Sequence, residues 1–182
     1  MPHNISTPTS VFMKLTLLMS LIFMFGMCIQ KDPDVFSLKP GDTLPEFSVE
    51  DNHGNIISTA TLRDKVCLIA FVNTECPDCR KELPEIERAY RQFNDNAAIR
   101  FIVISRSQGY DSLTEYWTNH HLTIPYSAQD DDIIFKKFAS QNIPRIYIAS
   151  PGGTIVFSSD DSSNVVAETI ITQINNLIQV PE

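Results

Sequence analysis

Positive charge is scarce in this chain: 14 Lys and Arg stand against 22 Asp and Glu, for a formal net charge of −8. Binding to nucleic acid needs a basic face that neutralises phosphates, so that class of partner is excluded. Internal repeats and low-complexity tracts are absent, which excludes solenoids and repeat arrays. No apolar run reaches the length of about 20 residues that spans a bilayer as a permanent helix. Only four cysteines are present. What remains is an apolar content of 43% and a charged content of 20% over 182 residues. That describes one globular domain with a short extra segment.

The extra segment is at the N-terminus. Lys14 is the only formal charge before Lys31, and it precedes Leu15–Met27, an almost unbroken apolar run. A basic residue followed by a short apolar core describes a secretory signal over residues 1–27, with Met13-Lys14 as an alternative start. Phe25-Gly26-Met27-Cys28 resembles a bacterial lipobox, although Phe25 replaces the usual Leu and the glycine stands one place early. Cys28 is therefore the expected site of lipid attachment. The alternatives are an uncleaved signal anchor or cleavage elsewhere. Residues 28–40 are polar and contain proline, as expected of a tether, and the domain is expected over residues 41–182.

Within the domain, Phe47–Asp51 and Asn55–Ser58 flank an Asn-His-Gly-Asn turn, a hairpin signal. Val66–Val72 is a continuous run of β-branched, aromatic and other apolar residues, which predicts a strand buried on both faces. A helix is predicted over Pro77–Phe93, with Pro77 in its first turn and Pro84 inside it. Strands follow at Ile99–Ser105, Arg145–Ala149 and Thr154–Phe157, the last two joined by Ser150-Pro151-Gly152-Gly153. Helices are predicted over Ser112–His121, Asp131–Ala139 and Val165–Ile178. This order describes an α/β fold with a crossover and an antiparallel pair.

Cys76-Pro77-Asp78-Cys79 carries the chemistry. A gap of two residues lets one thiolate attack a disulfide and the other resolve the mixed disulfide. The same spacing also serves zinc, which needs two further ligands. Cys28 and Cys67 do not supply them, and His120 and His121 are adjacent and diverge on a helix. Position favours redox chemistry. The motif follows a buried strand and opens a helix, so the Cys76 sulfur sits beside unpaired helix N–H groups that favour its thiolate. Cys76 is then the exposed nucleophile and Cys79 the buried resolving thiol. Cys67, inside Val66–Val72, reads as a small core residue.

These residues resemble the thioredoxin superfamily, and in particular its membrane-tethered, extracytoplasmic TlpA/ResA-like branch. The resemblance covers about Gly41–Ile178. It rests on Cys76-Pro77-Asp78-Cys79, on Pro84 eight residues after the first cysteine, and on Ile143-Pro144 before a strand. The N-terminal hairpin, the Ser112–His121 insertion and the Pro-Gly-Gly hairpin add to it. The resemblance implies a thioredoxin-like three-layer α/β/α sandwich with a central mixed sheet. It implies a reversible Cys76–Cys79 disulfide and a cis Ile143-Pro144 peptide lining the substrate groove. It also implies a thiol–disulfide oxidoreductase on the periplasmic side of a bacterial envelope. Such an enzyme acts as a reductase of protein cysteine pairs, is fed by a membrane electron donor, and needs no metal or organic cofactor.

Three positions depart from the pattern. Glu75 replaces the usual Trp before the first cysteine. Ala70 replaces a buried acid six residues before it. Arg145 replaces the Thr that often follows the cis-proline. Glu75 and Asp78 place negative charge beside Cys76, and Arg145 is expected to oppose them as a thiolate modulator or to contact an acidic substrate. Two other functions fit the fold class. A peroxiredoxin-type peroxide reductase needs a Thr and a Pro where Asn73 and Ile69 stand. A copper-delivery protein of the SCO type uses a three-residue cysteine gap and a later histidine, and no histidine follows His121.

Overall fold

The computed structural model describes residues 36–179. The predicted leader, Cys28 and most of the 28–40 segment lie outside the described residues.

Among the described residues, seven strands and three α-helices follow in chain order. They are β1 (Ser48–Glu50), β2 (Ile56–Ser58), β3 (Val66–Val72), α1 (Pro77–Phe93), β4 (Ile99–Ser105), α2 (Tyr110–Asn119), β5 (Tyr126–Ser127), β6 (Arg145–Ala149), β7 (Ile155–Ser159) and α3 (Ala167–Ile178). β1 and β2 form a separate antiparallel hairpin. The central sheet has the order β5-β4-β3-β6-β7. β3 is parallel to β4, and β4 to β5; β6 and β7 run antiparallel. β3 lies in the middle, as its apolar run predicts, and all seven of its residues are buried.

Side chains alternate along a strand, so β3 serves two cores. Val66, Leu68, Ala70 and Val72 pack with Cys79, Leu83 and Ile86 of α1, Leu113 and Trp117 of α2, and Ile170 and Ile174 of α3. Cys67, Ile69 and Phe71 face the other way, towards Leu44, Phe47, Phe135, Phe138 and Tyr147. The same parity divides β6. Ile146 and Ile148 join the helical side, while Tyr147 and Ala149 join the opposite side.

Two expectations change. The helix predicted over Asp131–Ala139 is only a 3-10 turn at Phe135–Lys137. Asp131 Oδ1 accepts the Ile133 N–H (2.9 Å), and the Asp131 carbonyl accepts the Ser107 N–H (2.8 Å), so local bonds compete with a helical start. A 3-10 turn also aligns residues i and i+3. Phe135 and Phe138 thereby both reach Phe71, with ring centroids 5.5 and 4.8 Å away. Second, the domain does not wait for Gly41. Ser37 bridges Ala139, and the Leu38 N–H donates to the Phe138 carbonyl (2.9 Å), so the end of the expected tether is already docked. β5, only two residues long, carries no periodic signal and was not foreseen.

Candidate active site

β3 ends at Val72, and Asn73-Thr74-Glu75 leads into α1. Cys76 occupies the N-cap position with extended backbone (φ −76°, ψ 121°), and no side chain caps the helix. The Cys76 sulfur therefore sits where the first-turn N–H groups and the positive end of the helix dipole are directed. Its backbone N–H donates to the Asn73 carbonyl (3.0 Å) and its carbonyl accepts from the Arg80 N–H (3.1 Å). Cys76 is partly exposed, whereas Cys79, one turn on, is 0% exposed. Both are free thiols.

The Ile143-Pro144 peptide is cis. It brings the Ile143 carbonyl to 3.6 Å from the Cys76 sulfur, which donates to it. Pro144 is buried and Ile143 half-buried, so this loop forms one wall beside the exposed thiol. Cys76, Cys79, Ile143 and Pro144, far apart in sequence, thus converge on one end of the sheet.

The charged neighbours divide. Asp78 is paired with Lys81 (2.7 Å), which offsets its field at Cys76. Glu75 is exposed, and its backbone N–H donates to Asn73 Oδ1 (2.8 Å). Arg145 is not at the site. It pairs with Phe71 across the sheet and shares the face opposite the dithiol. Its guanidinium donates to Ser37 Oγ (2.9 Å), Gln141 O (3.1 Å) and Asn142 O (3.4 Å). The expected role of Arg145 as a thiolate modulator is corrected: β-strand parity turns it away, and its donors secure the N-terminal segment.

No acid stands at Ala70, but a buried carboxylate that the sequence did not single out lies at Glu82. Glu82 lies one turn beyond Cys79 on the buried face of α1 and is only 3% exposed. Oε1 accepts the Val165 N–H (3.2 Å), while Oε2 is buried without a hydrogen-bond partner. Burial pushes this carboxyl up to about 7, against the Val165 hydrogen bond, and the charge of Asp78 adds to the rise. The available signal was its spacing: Cys79, Glu82, Leu83 and Ile86 fall on one helical stripe. Glu82 also lines a cavity of about 300 Å3 with Asp78, Lys81 and the loop Asp161–Asn164.

Burial strongly raises Cys79 above the ordinary thiol range. The Asn73 backbone hydrogen bond opposes this, and the neighbouring Cys76 and Glu82 charges reinforce it. Cys67, on the other face, is pushed up to about 12 by burial. Asn73, which stands where a peroxidase would carry Thr, uses its side chain to tie the loop: Nδ2 donates to the Arg106 carbonyl (3.2 Å).

Residues 40–158 match the AhpC/TSA family. Among curated proteins, the thiol–disulfide oxidoreductase ResA of Halalkalibacterium halodurans is 20% identical over 118 residues, covering 65% of this chain and 66% of that protein. The thioredoxin-like protein YneN of Bacillus subtilis is 24% identical over 119 residues, covering 65% and 69%. The chain thus spans about two thirds of the length of these curated relatives. A solution structure of a candidate protein disulfide isomerase from Bacteroides thetaiotaomicron superposes with a TM-score of 0.73 at 25% identity, covering 80% of this chain and 93% of the other. The fold is thioredoxin-like.

Proposed function

The chain belongs to the AhpC/TSA family, and from that premise we propose that it is an extracytoplasmic thiol–disulfide oxidoreductase that reduces protein disulfides through Cys76 and Cys79. One observation carries this reading. A partly exposed cysteine at an uncapped helix N-terminus stands one turn before a fully buried one, with the carbonyl of Ile143, the residue before the cis-proline, against the outer sulfur.

The cycle follows from that arrangement. Cys76, as a thiolate at the helix N-terminus, attacks one sulfur of a substrate disulfide docked along Ile143-Pro144. The substrate disulfide breaks, a Cys76–substrate disulfide forms, and the other substrate sulfur leaves as a thiolate and takes a proton. Cys79 then loses its proton and attacks Cys76. The Cys76–Cys79 disulfide forms, and the second substrate sulfur leaves. Two electrons have passed to the substrate. Glu82 accepts the Cys79 proton, since burial lifts its carboxyl to about 7 and its charge, one helical turn away, acts on that thiol. The polar cavity at Asp161–Asn164 then exchanges the proton with solvent.

The same groups support a direction. A dithiol becomes a strong oxidant when its reduced, thiolate form is stabilised. Burial and the Glu82 charge do the opposite at Cys79, which supports a reductant. The apolar run before Cys28 supports placement in the envelope, held by a lipid or by a signal anchor, with electrons supplied by a membrane donor.

Trapping tests the reading. A Cys79→Ala variant should accumulate mixed disulfides with protein clients through Cys76, and Cys76→Ser should accumulate none. A natively folded Cys79→Ala protein that formed no adduct at Cys76 would overturn it.

A further inference from the structure

The loop before the dithiol is held by a residue 34 positions away. Gln108 is buried, and so is Thr74. Gln108 Oε1 accepts the Thr74 N–H (2.8 Å) and its Nε2 donates to Thr74 Oγ1 (2.5 Å). One amide therefore grips both the backbone and the side chain of a single residue.

Gln108 is itself firmly placed. Its carbonyl accepts Ser105 Oγ (2.6 Å), and its N–H donates to the Gln129 carbonyl (2.8 Å). The preceding Ser107 has φ +53°, a left-handed backbone uncommon for a side-chain-bearing residue, and its N–H is taken by the Asp131 carbonyl (2.8 Å). Non-glycine residues in this region persist where surrounding contacts over-determine them.

Asn73, next to Thr74, contacts both halves of the dithiol in different ways. Its carbonyl accepts the Cys76 backbone N–H (3.0 Å), and its backbone favours the Cys79 thiolate against the effect of burial. We infer that Gln108 is a positioning residue for the resolving step: through Thr74 it holds the Asn73 backbone against Cys79, so that this sulfur can attack as a thiolate.

This assignment rests on the dithiol reading above. In the step concerned, Cys79 gives up its proton and its thiolate attacks Cys76 of the mixed disulfide. The Cys76–Cys79 bond forms, and the bond to the substrate breaks with the electron pair leaving on the substrate sulfur. A donor fixed at the Cys79 sulfur stabilises the thiolate that this step requires. The first attack, by Cys76, draws on the helix N-terminus instead.

Stopped-flow reaction of the reduced full chain with DTNB separates the two steps, because each releases one thionitrobenzoate. Gln108→Ala should slow the second release about tenfold, the scale of one lost buried hydrogen bond, and leave the first within about twofold. Gln108→Glu keeps an acceptor for the Thr74 N–H and a partner for its hydroxyl, and should restore most of the second rate. A Thr74→Val, Gln108→Ala double variant should be no slower than the slower single variant, because both act through one contact. An unchanged second phase, equal slowing of both phases, or additive losses would overturn the assignment. Release of only one equivalent by the unaltered chain would instead overturn the dithiol reading, and this assignment with it.

Discussion

Glu82 lies one helical turn beyond Cys79 on the buried face of α1, and its charge opposes ionisation of that thiol. The pair can hold one negative charge far more readily than two. A proton leaving Cys79 is therefore best accepted by the Glu82 carboxylate itself, which removes the opposing charge as the new one appears.

Replacing Glu82 by Gln should then separate activity from stability. Burial raises the carboxyl from the ordinary 4.5 to about 7. Below about pH 4.5 it is protonated in both folded and unfolded chains and has no net effect. From there to about pH 7 the unfolded chain releases the proton first, so stability falls as pH rises, by about 3 kcal/mol in all. Glu82→Gln keeps an acceptor for the Val165 N–H and removes the ionisation. Urea unfolding should show the variant more stable than the natural chain at pH 8 and similar at pH 4.5. Its second thiol release from DTNB should be slower by at least about tenfold, as for a lost general base. A variant as fast as the natural chain in that step would remove Glu82 from the mechanism.

Arg145 gives the opposite dissociation. Its guanidinium binds Ser37 Oγ and the carbonyls of Gln141 and Asn142, on the sheet face away from Cys76 and Cys79. Arg145→Met should lower stability by about 1–3 kcal/mol, because partially buried acceptors lose a charged donor. The rate and pH profile of Cys76 alkylation should stay as in the natural chain. A shifted Cys76 profile would restore the discarded modulator role.

Cys67 should be silent. It is 1% exposed in the core below the sheet, and burial holds it as a thiol up to about 12. Iodoacetamide should label Cys76 in the native chain and reach Cys67 only after denaturation. Cys67→Ala should retain both thiol releases, while Cys67→Ser should cost about 1–3 kcal/mol by burying a hydroxyl in an apolar setting. Labelling of Cys67 in the folded chain would show that this core opens.

The contrast among these residues explains what the sequence could and could not reveal. β3 and α1 were legible to the residue, because a long apolar run and a stripe of apolar side chains behind Pro77 admit few other structures. At the candidate site, the exposed and buried placement of Cys76 and Cys79 was legible because it is local, and the cis Ile143-Pro144 peptide because it is tied to a distinctive sequence. Arg145 was misplaced because sequence proximity to Pro144 does not state which face of β6 it occupies. That depends on the register with Phe71. Glu82 and Gln108 escaped for a related reason: polar residues are ordinarily surface residues, and only packing shows these two buried. The segment from Asp131 to Ala139 has helical spacing, yet its aspartates bond locally and its two phenylalanines are satisfied by one 3-10 turn.

Glu87 is the last test, and its pH dependence runs against that of Glu82 on the same helix. Its buried carboxylate accepts Arg91 Nε (2.7 Å), Thr123 Oγ1 (2.6 Å) and the backbone N–H groups of Thr123 and Ile124 (2.9 Å each). Burial pushes this carboxyl up, but the donors together outweigh it and hold it below the ordinary value. The unfolded chain therefore takes up the proton first as pH falls below about 4.5, and the stabilisation fades from there downward. Glu87→Gln turns an NH2 towards donors that need an acceptor, so it should cost about 2–4 kcal/mol at pH 7 and flatten the acid slope. The same change should speed hydrogen exchange at Thr123 and Ile124, which join α2 to β5, and leave the first thiol release unaltered, since Glu87 lies two turns beyond Cys79. If urea midpoints at pH 7 were unchanged while exchange at Ile124 stayed slow, the carboxylate would not be what fastens this insertion to α1.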